Sequence, residues 1–298
     1  MAKPCYRSVA SPAMSITRLG VVGSGIMGSG IAEVAAKAGV DVVLRSRQQS
    51  SADAMVTALE KSLAKQVERG KLEEQAAKEI AGRVTATQHL GDLHDCDLVL
   101  ESVVEDLAVK KELFAELDDI VKAGAILATN TSTLPVVELA VATTRPELVC
   151  GIHFFNPAPM MSLVEVIAPM TASADTIDAA KAFATACGKD VVEVKDRAGF
   201  IVNALLFPYL NNAVRMLEAG TASRDDIDTA MKGGCNFPMG PLALLDLVGL
   251  DTSLSILDAL YAEFRDPNYA AMPLLRRMVT SGQLGRKSGA GFFDYSKK

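Results

Sequence analysis

The 298-residue sequence has no C-x-x-C pair, no internal repeat and no low-complexity segment, and no apolar run reaches the roughly 18 residues that would span a bilayer. Each absence excludes a class. Five cysteines, scattered at positions 5, 96, 150, 187 and 235, indicate neither a disulfide frame nor a zinc site, so a reducing compartment, the cytoplasm, is expected. The apolar stretch from Gly199 to Leu210 is broken by Asn203 and Pro208, and no membrane partner is expected. A net charge of −6 argues against a chain-wide nucleic-acid surface, although a local basic patch could still hold phosphates. The first eighteen residues carry Lys3, Arg7 and Arg18 and no acid, a faint transit-peptide character. Their shortness and two prolines favour a loose N-terminal extension.

What is present is an ordinary globular balance, 49 % hydrophobic and 22 % charged, with length enough for two domains. Arg18 to Val22 reads as a strand that runs into Gly23-Ser24-Gly25-Ile26-Met27-Gly28, and a small-residue helical pattern from Ile31 follows. The first glycine permits a tight turn, the second lets the backbone approach a pyrophosphate, and the third lets helix and strand pack closely. The helix N-terminus adds N–H donors and partial positive charge, so a dinucleotide is expected on this loop.

The second strand, Asp41 to Leu44, should carry at its end the residue that reads the adenosine ribose: an acid for NAD, an arginine for NADP. It ends Arg45-Ser46-Arg47, with no acid there. NADP(H) is therefore expected over NAD(H), although solvated surface arginines would look the same.

From Ser51 to about Gly82 the pattern is helical, interrupted by Gly70, with Lys61, Lys65, Arg69 and Lys71 either a solvated face or a cationic rim for coenzyme A phosphates. His89 and His94, with Asp92, Asp95 and Cys96, suit a polar turn better than a metal site. Asp97–Glu101 and Ala125–Thr129 read as buried parallel strands around a helix over 109–121, which predicts a Rossmann-like, doubly wound, mostly parallel α/β sheet. Ligands lie over the carboxyl ends of such strands, where Glu105, Asn130 and Ser132 fall. Glu105 would equally serve as an N-terminal acid of its helix, and 130–132 as a plain turn.

His153-Phe154-Phe155-Asn156-Pro157 follows one apolar strand, and Glu165 lies in the next, Leu163 to Ile167. An imidazole oriented by a carboxylate is a suitable base near neutral pH, yet two unrelated residues fit this stretch alone equally well. Beyond the strand Asp190–Val194, helical spacing over 200–218, 225–231, 242–264 and 271–279 predicts an all-helical second domain, whose apolar stripes favour a homodimer. Asn203 sits in apolar surroundings on the first of these helices and needs a partner. The glycine-rich tail 285–291 would cradle phosphate or, better, form a turn docking Phe292, Phe293 and Tyr295.

GSGIMGSGIA at 23–32, ESVVEDLAVKKELF at 101–114, NTSTL at 130–134, HFFNP at 153–157, GFIVNALL at 199–206 and PMGPLALLDLVGLD at 238–251 together make the chain resemble the short-chain L-3-hydroxyacyl-CoA dehydrogenases. The similarity covers Ile16 to Tyr295. It implies an enzyme that transfers hydride between a short-chain acyl-CoA and a nicotinamide cofactor, with domains at 16–196 (dinucleotide) and 197–298 (helical, substrate and dimerisation) after an extension over 1–15. His153 becomes the acid-base residue, Glu165 its orienting partner, and Ser132 and Asn203 contacts to the reacting oxygen. Glu105 and Lys110 fall beside the nicotinamide, Asn156 supports the His turn, and Ser62 and Arg69 meet acyl-CoA, Arg69 replacing the usual lysine. The main departure is Ser46, where the family pattern has the ribose-binding Asp. A dehydrogenase of a non-CoA hydroxy acid or sugar acid would share these motifs, as would a catalytically silent structural homologue.

Overall fold

The computed structural model describes residues 15–296, and the extension expected over 1–15 lies, except for Ser15, outside them. The chain divides into two compact units, Met1–Asp196 and Arg197–Lys298. Along the first unit run β1 (Arg18–Val22), α1 (Ile26–Lys37), β2 (Asp41–Arg45), α2 (Gln49–Glu68), α3 (Glu74–Gly82), β3 (Val84–Thr87) and β4 (Leu98–Glu101). There follow α4 (Leu107–Ile120), β5 (Ile126–Thr129), α5 (Val136–Ala140), β6 (Val149–Phe154), β7 (Leu163–Ala168), α6 (Ala174–Ala186) and β8 (Asp190–Lys195).

The eight strands form one sheet in the order β3-β2-β1-β4-β5-β6-β7-β8. The first six are parallel, β6 and β7 pair antiparallel, and β8 runs parallel to β7. Every residue of β4, β5 and β6 is buried, as expected where helices cover both faces of a sheet. On one side α1, α2 and α6 contribute Ile31, Leu59, Leu63 and Phe183 to a core cluster with Leu44, Leu100 and Ile152 of the sheet. Each such side chain contributes about 1.5–3 kcal/mol when fully buried. Asp196 caps α5 by accepting from the N–H groups of Val136 and Val137 at 2.9 and 2.7 Å, because Pro135 at the N-cap offers no side-chain acceptor.

The second unit is helical: α7 (Val202–Glu218), α8 (Arg224–Cys235), α9 (Pro241–Val248), α10 (Leu250–Phe264) and α11 (Pro273–Thr280). The sequence reading took 242–264 as one helix; the chain instead breaks at Gly249, whose φ of 102° a helix cannot accommodate. Phe207, Leu210, Leu242, Leu257 and Leu275 form the core of this unit. Buried Asp246 fastens the tail, accepting from the N–H groups of Phe292 and Phe293 at 2.9 Å each and from the Tyr295 hydroxyl at 3.1 Å. Asp228 caps α9 through Leu242 and Ala243 at 2.8 and 3.0 Å. Among the described residues, no helix is long and apolar enough to cross a membrane.

Candidate active site

The strand order reverses between β1 and β4, and a cleft of about 590 Å³ opens over their carboxyl ends. Its lining includes Gly23, Ser24 and Gly25 after β1, Arg45, Ser46 and Arg47 after β2, Ser102 to Val104 after β4, and Glu112 and Glu116 of α4. Gly23 has φ +136°, and a Cβ there would lie 2.2 Å from the Ser102 carbonyl oxygen. A Cβ at Gly28 would lie 2.3 Å from the Gly23 carbonyl oxygen, so these two glycines allow strand and helix to meet. Gly25 differs: a Cβ there meets nothing within 4 Å, so the space above it is open for a ligand. Gly25 is also the N-cap of α1, with no side-chain cap and no acid in the first turn, leaving the helix terminus suited to an anion. Ile26, in that first turn, is exposed, and Met27 packs partly buried against the core. These residues fit a dinucleotide.

At the β2 end, Ser46 is buried and donates its N–H to the Thr87 carbonyl at 3.0 Å, while Arg47 is exposed. Arg45 donates from Nε to the Gln88 carbonyl at 3.3 Å. Burial holds its guanidinium below the ordinary arginine value, with Glu116 opposing and Arg47 reinforcing the effect.

The carboxyl ends of β4 and β5 carry a buried polar network. Glu101, the last residue of β4, accepts from Lys110 Nζ at 2.7 Å, the Val103 N–H at 2.6 Å and the Thr129 hydroxyl at 2.8 Å. Lys110 also lies 3.2 Å from Glu105. Lys110, expected beside the nicotinamide, has a side chain 1 % exposed and enclosed between the carboxylates of Glu101 and Glu105. Glu105 does not cap its helix. Asp106 is the N-cap of α4, and Glu105 reaches across to the turn after β5, accepting from the Thr131 hydroxyl and from the Ser132 N–H at 3.1 Å. Glu101 was missed in the sequence because it looked like the polar end of an apolar strand; its position at a carboxyl strand end was the available signal.

His153 and Glu165 are direct partners in the β6–β7 register, with Nδ1 and Oε2 2.8 Å apart. Their side chains are 7 and 0 % exposed, and the Phe155 ring centroid lies 4.5 Å from the imidazole. The Asn130 side chain accepts from the Phe154 N–H at 2.8 Å, tying the turn after β5 to the backbone next to His153. The turn that carries Ser132 is thereby tied to the carboxyl end of β6, where His153 lies. Asn156 begins the turn after β6 and precedes a cis Pro157.

A second cleft, of about 560 Å³, lies between α1, α2 and that turn, lined by Gly25, Glu33, Met55, Ser62 and Pro157 to Pro159 among others. Ser62 donates to Glu33 at 3.0 Å, and Glu33 also accepts from Lys37 and Gln66 at 2.6 and 2.9 Å. Arg69 is the exposed C-cap of α2 and does not share Ser62's place in the described lining. Asn203 belongs to the other unit, buried in the first turn of α7.

The 3-hydroxyacyl-CoA dehydrogenase NAD-binding domain model matches residues 18–197, and the 3-hydroxyacyl-CoA dehydrogenase C-terminal domain model matches 199–295. The 3-hydroxybutyryl-CoA dehydrogenase of Mycobacterium tuberculosis is 50 % identical over 287 residues, 94 % of this chain and 99 % of the relative. That of Clostridioides difficile is 48 % identical, over 94 % of this chain and 100 % of the relative. The crystal structure of (S)-3-hydroxybutyryl-CoA dehydrogenase from Ralstonia eutropha superposes with a TM-score of 0.93 at 40 % identity, over 95 and 100 % of the two chains. With a dinucleotide cleft, a buried His-Glu pair and both family domains matched in order, the chain belongs to the 3-hydroxyacyl-CoA dehydrogenase family.

Proposed function

We propose that the protein interconverts the 3-hydroxyl and 3-keto forms of a short-chain acyl-CoA, 3-hydroxybutyryl-CoA in type, with NADP(H) preferred over NAD(H). The observation that carries the reaction is the His153–Glu165 pair, held at 2.8 Å across the β6–β7 pair. His153 removes the proton from the 3-hydroxyl in oxidation and returns it to the developing alkoxide in reduction. Glu165 fixes the imidazole through Nδ1, so that Nε2 is the nitrogen that exchanges the proton, and stabilises the imidazolium. Ser132 steadies the reacting oxygen, and Glu105 holds the Ser132 turn. When bound, the nicotinamide supplies the hydride acceptor or donor.

The cofactor preference rests on Ser46 standing where an acid would accept the ribose hydroxyls, and on Arg45 and Arg47 lining the same cleft. Glu116 offsets Arg45, which leaves exposed Arg47 as the cation for a 2′-phosphate. Support for acyl-CoA in the second cleft comes from Ser62 in its lining and from the named relatives. A homodimer through the helical unit is consistent with exposed Leu205, Met216 and Leu247, at 72, 45 and 48 %. Steady-state kinetics along an acyl-CoA chain-length series with each cofactor, beside free 3-hydroxy acids, is the test. Turnover of free acids matching that of acetoacetyl-CoA would overturn the substrate, and a clear NAD(H) preference would overturn the cofactor.

A further inference from the structure

We infer that Lys189 is a positioning residue for the acyl-CoA substrate, bracing the turn that joins the His153 strand to the Glu165 strand; this rests on the reading that the second cleft takes acyl-CoA. The turn, residues 155–162, is anchored at both ends by the dyad strands, yet its middle has little regular structure of its own. Lys189 Nζ donates to two of its carbonyl oxygens, Ala158 and Met161, at 2.7 Å each. The turn also packs on α1, where a Cβ added to Gly30 would stand 3.1 Å from Pro159 Cδ and 3.2 Å from Ala158 Cβ. The turn is thus held by both the cofactor-loop helix and a lysine, and its Pro157, Ala158 and Pro159 form a wall of the second cleft.

Lys189 is well placed as a strut because its own backbone is fixed. It lies directly before β8, where Asp190 donates to the Ser162 carbonyl at 2.8 Å and pairs with Leu163. Among the described residues its ammonium forms no ion pair with a carboxylate; both described bonds go to carbonyls of the turn. Burial holds the group below the ordinary lysine value, with Cys187 opposing the effect and the like charge of Lys37 adding to it, as expected when an ammonium leaves water for neutral acceptors. A methylene stem alone would pack against the turn without fixing those carbonyls.

The test compares wild type, Lys189→Met, which keeps the stem and loses the donors, and Lys189→Arg, which restores donors. Turnover of acetoacetyl-CoA by wild type reports on the substrate reading, and its absence overturns that reading and this one together. With turnover present, Lys189→Met is expected to raise the KM for acetoacetyl-CoA about tenfold, with kcat and cofactor KM within about threefold of wild type and Lys189→Arg recovering most of the loss. An unchanged acyl-CoA KM overturns the inference, as does a parallel rise in both KM values, which would mark a general brace of the fold. Should Lys189→Met not fold, Lys189→Gln, whose shorter neutral side chain falls short of the two carbonyls, takes its place: a raised acyl-CoA KM with normal cofactor KM supports the positioning role, and a wild-type acyl-CoA KM overturns it.

Discussion

His153 and Glu165 face each other across the antiparallel β6–β7 pair, and a 2.8 Å contact joins Nδ1 to Oε2 with the carboxylate fully buried. Side chains directly opposite in such a pair approach closely, and a slip of one residue would turn Glu165 to the other face of the sheet. The dyad is therefore a property of the register as much as of its two residues. His153→Gln is expected to lower kcat about 10²–10⁴-fold while cofactor affinity stays near wild type. Glu165→Gln should lower kcat more than it raises KM, because it weakens an imidazolium formed only during reaction. Steady-state kinetics with cofactor titrations checks both, and near-normal turnover of acetoacetyl-CoA by His153→Gln would remove the base from this site.

The three glycines of the β1–α1 turn separate stability from binding. A Cβ at Gly28 collides with the Gly23 carbonyl at 2.3 Å, whereas one at Gly25 meets no protein atom within 4 Å. Gly25→Ala should keep a melting temperature within about 2 °C of wild type without cofactor, yet lose roughly tenfold or more in cofactor affinity and the stabilisation that cofactor confers. Gly28→Ala should melt lower with or without cofactor. Thermal denaturation of both variants across a cofactor titration is the measurement, and unaltered affinity in Gly25→Ala would mean that no ligand backbone comes close there.

The glycine turn and the apolar strands were legible because each is written in a few neighbouring positions, whereas His153 and Glu165 became a pair only through the family resemblance. Features set by distant partners were not. Val84–Thr87 is a strand of four residues, only two of them buried, too short to show a period, and it forms only because it pairs with β2. The antiparallel direction of β7 leaves no mark on its composition, although it places Glu165 opposite His153. Glu105 reads locally as a helix-start acid, yet its partners Thr131 and Ser132 lie 26 and 27 residues away. The break at Gly249 was misread because apolar spacing continues on both sides of it.

Arg47 is the residue through which the cofactor preference should be felt. It is exposed at the β2 end, while Arg45 is engaged by the Gln88 carbonyl and offset by Glu116. Arg47→Ser should lower kcat/KM for NADPH by about tenfold and leave that for NADH nearly unchanged, since a 2′-phosphate gains a charged hydrogen bond that a ribose hydroxyl does not need. Equal effects on both cofactors would assign Arg47 to the pyrophosphate or to the surface.

Asp97 supplies a pH-dependent share of the first unit's stability. Its Oδ2 accepts from the Thr17 N–H and hydroxyl at 2.8 and 2.9 Å and from the Arg18 N–H at 2.9 Å, and its Oδ1 accepts from Lys122 at 2.6 Å. Burial alone would raise the carboxyl's pKa, but these donors outweigh it and hold the group at about 2 against an ordinary 3.8. A carboxyl depressed on folding stabilises fully above its unfolded value, and that contribution disappears as pH falls from 3.8 toward 2. Asp97→Asn should therefore cost on the order of 1–2 kcal/mol at pH 7, after discounting for solvent screening, and little near the bottom of that window. Denaturant unfolding of both proteins from pH 7 downward measures the difference, and a gap that stays constant to pH 2 would show that the hydrogen-bonded shape, and not the carboxylate charge, is what Asp97 contributes.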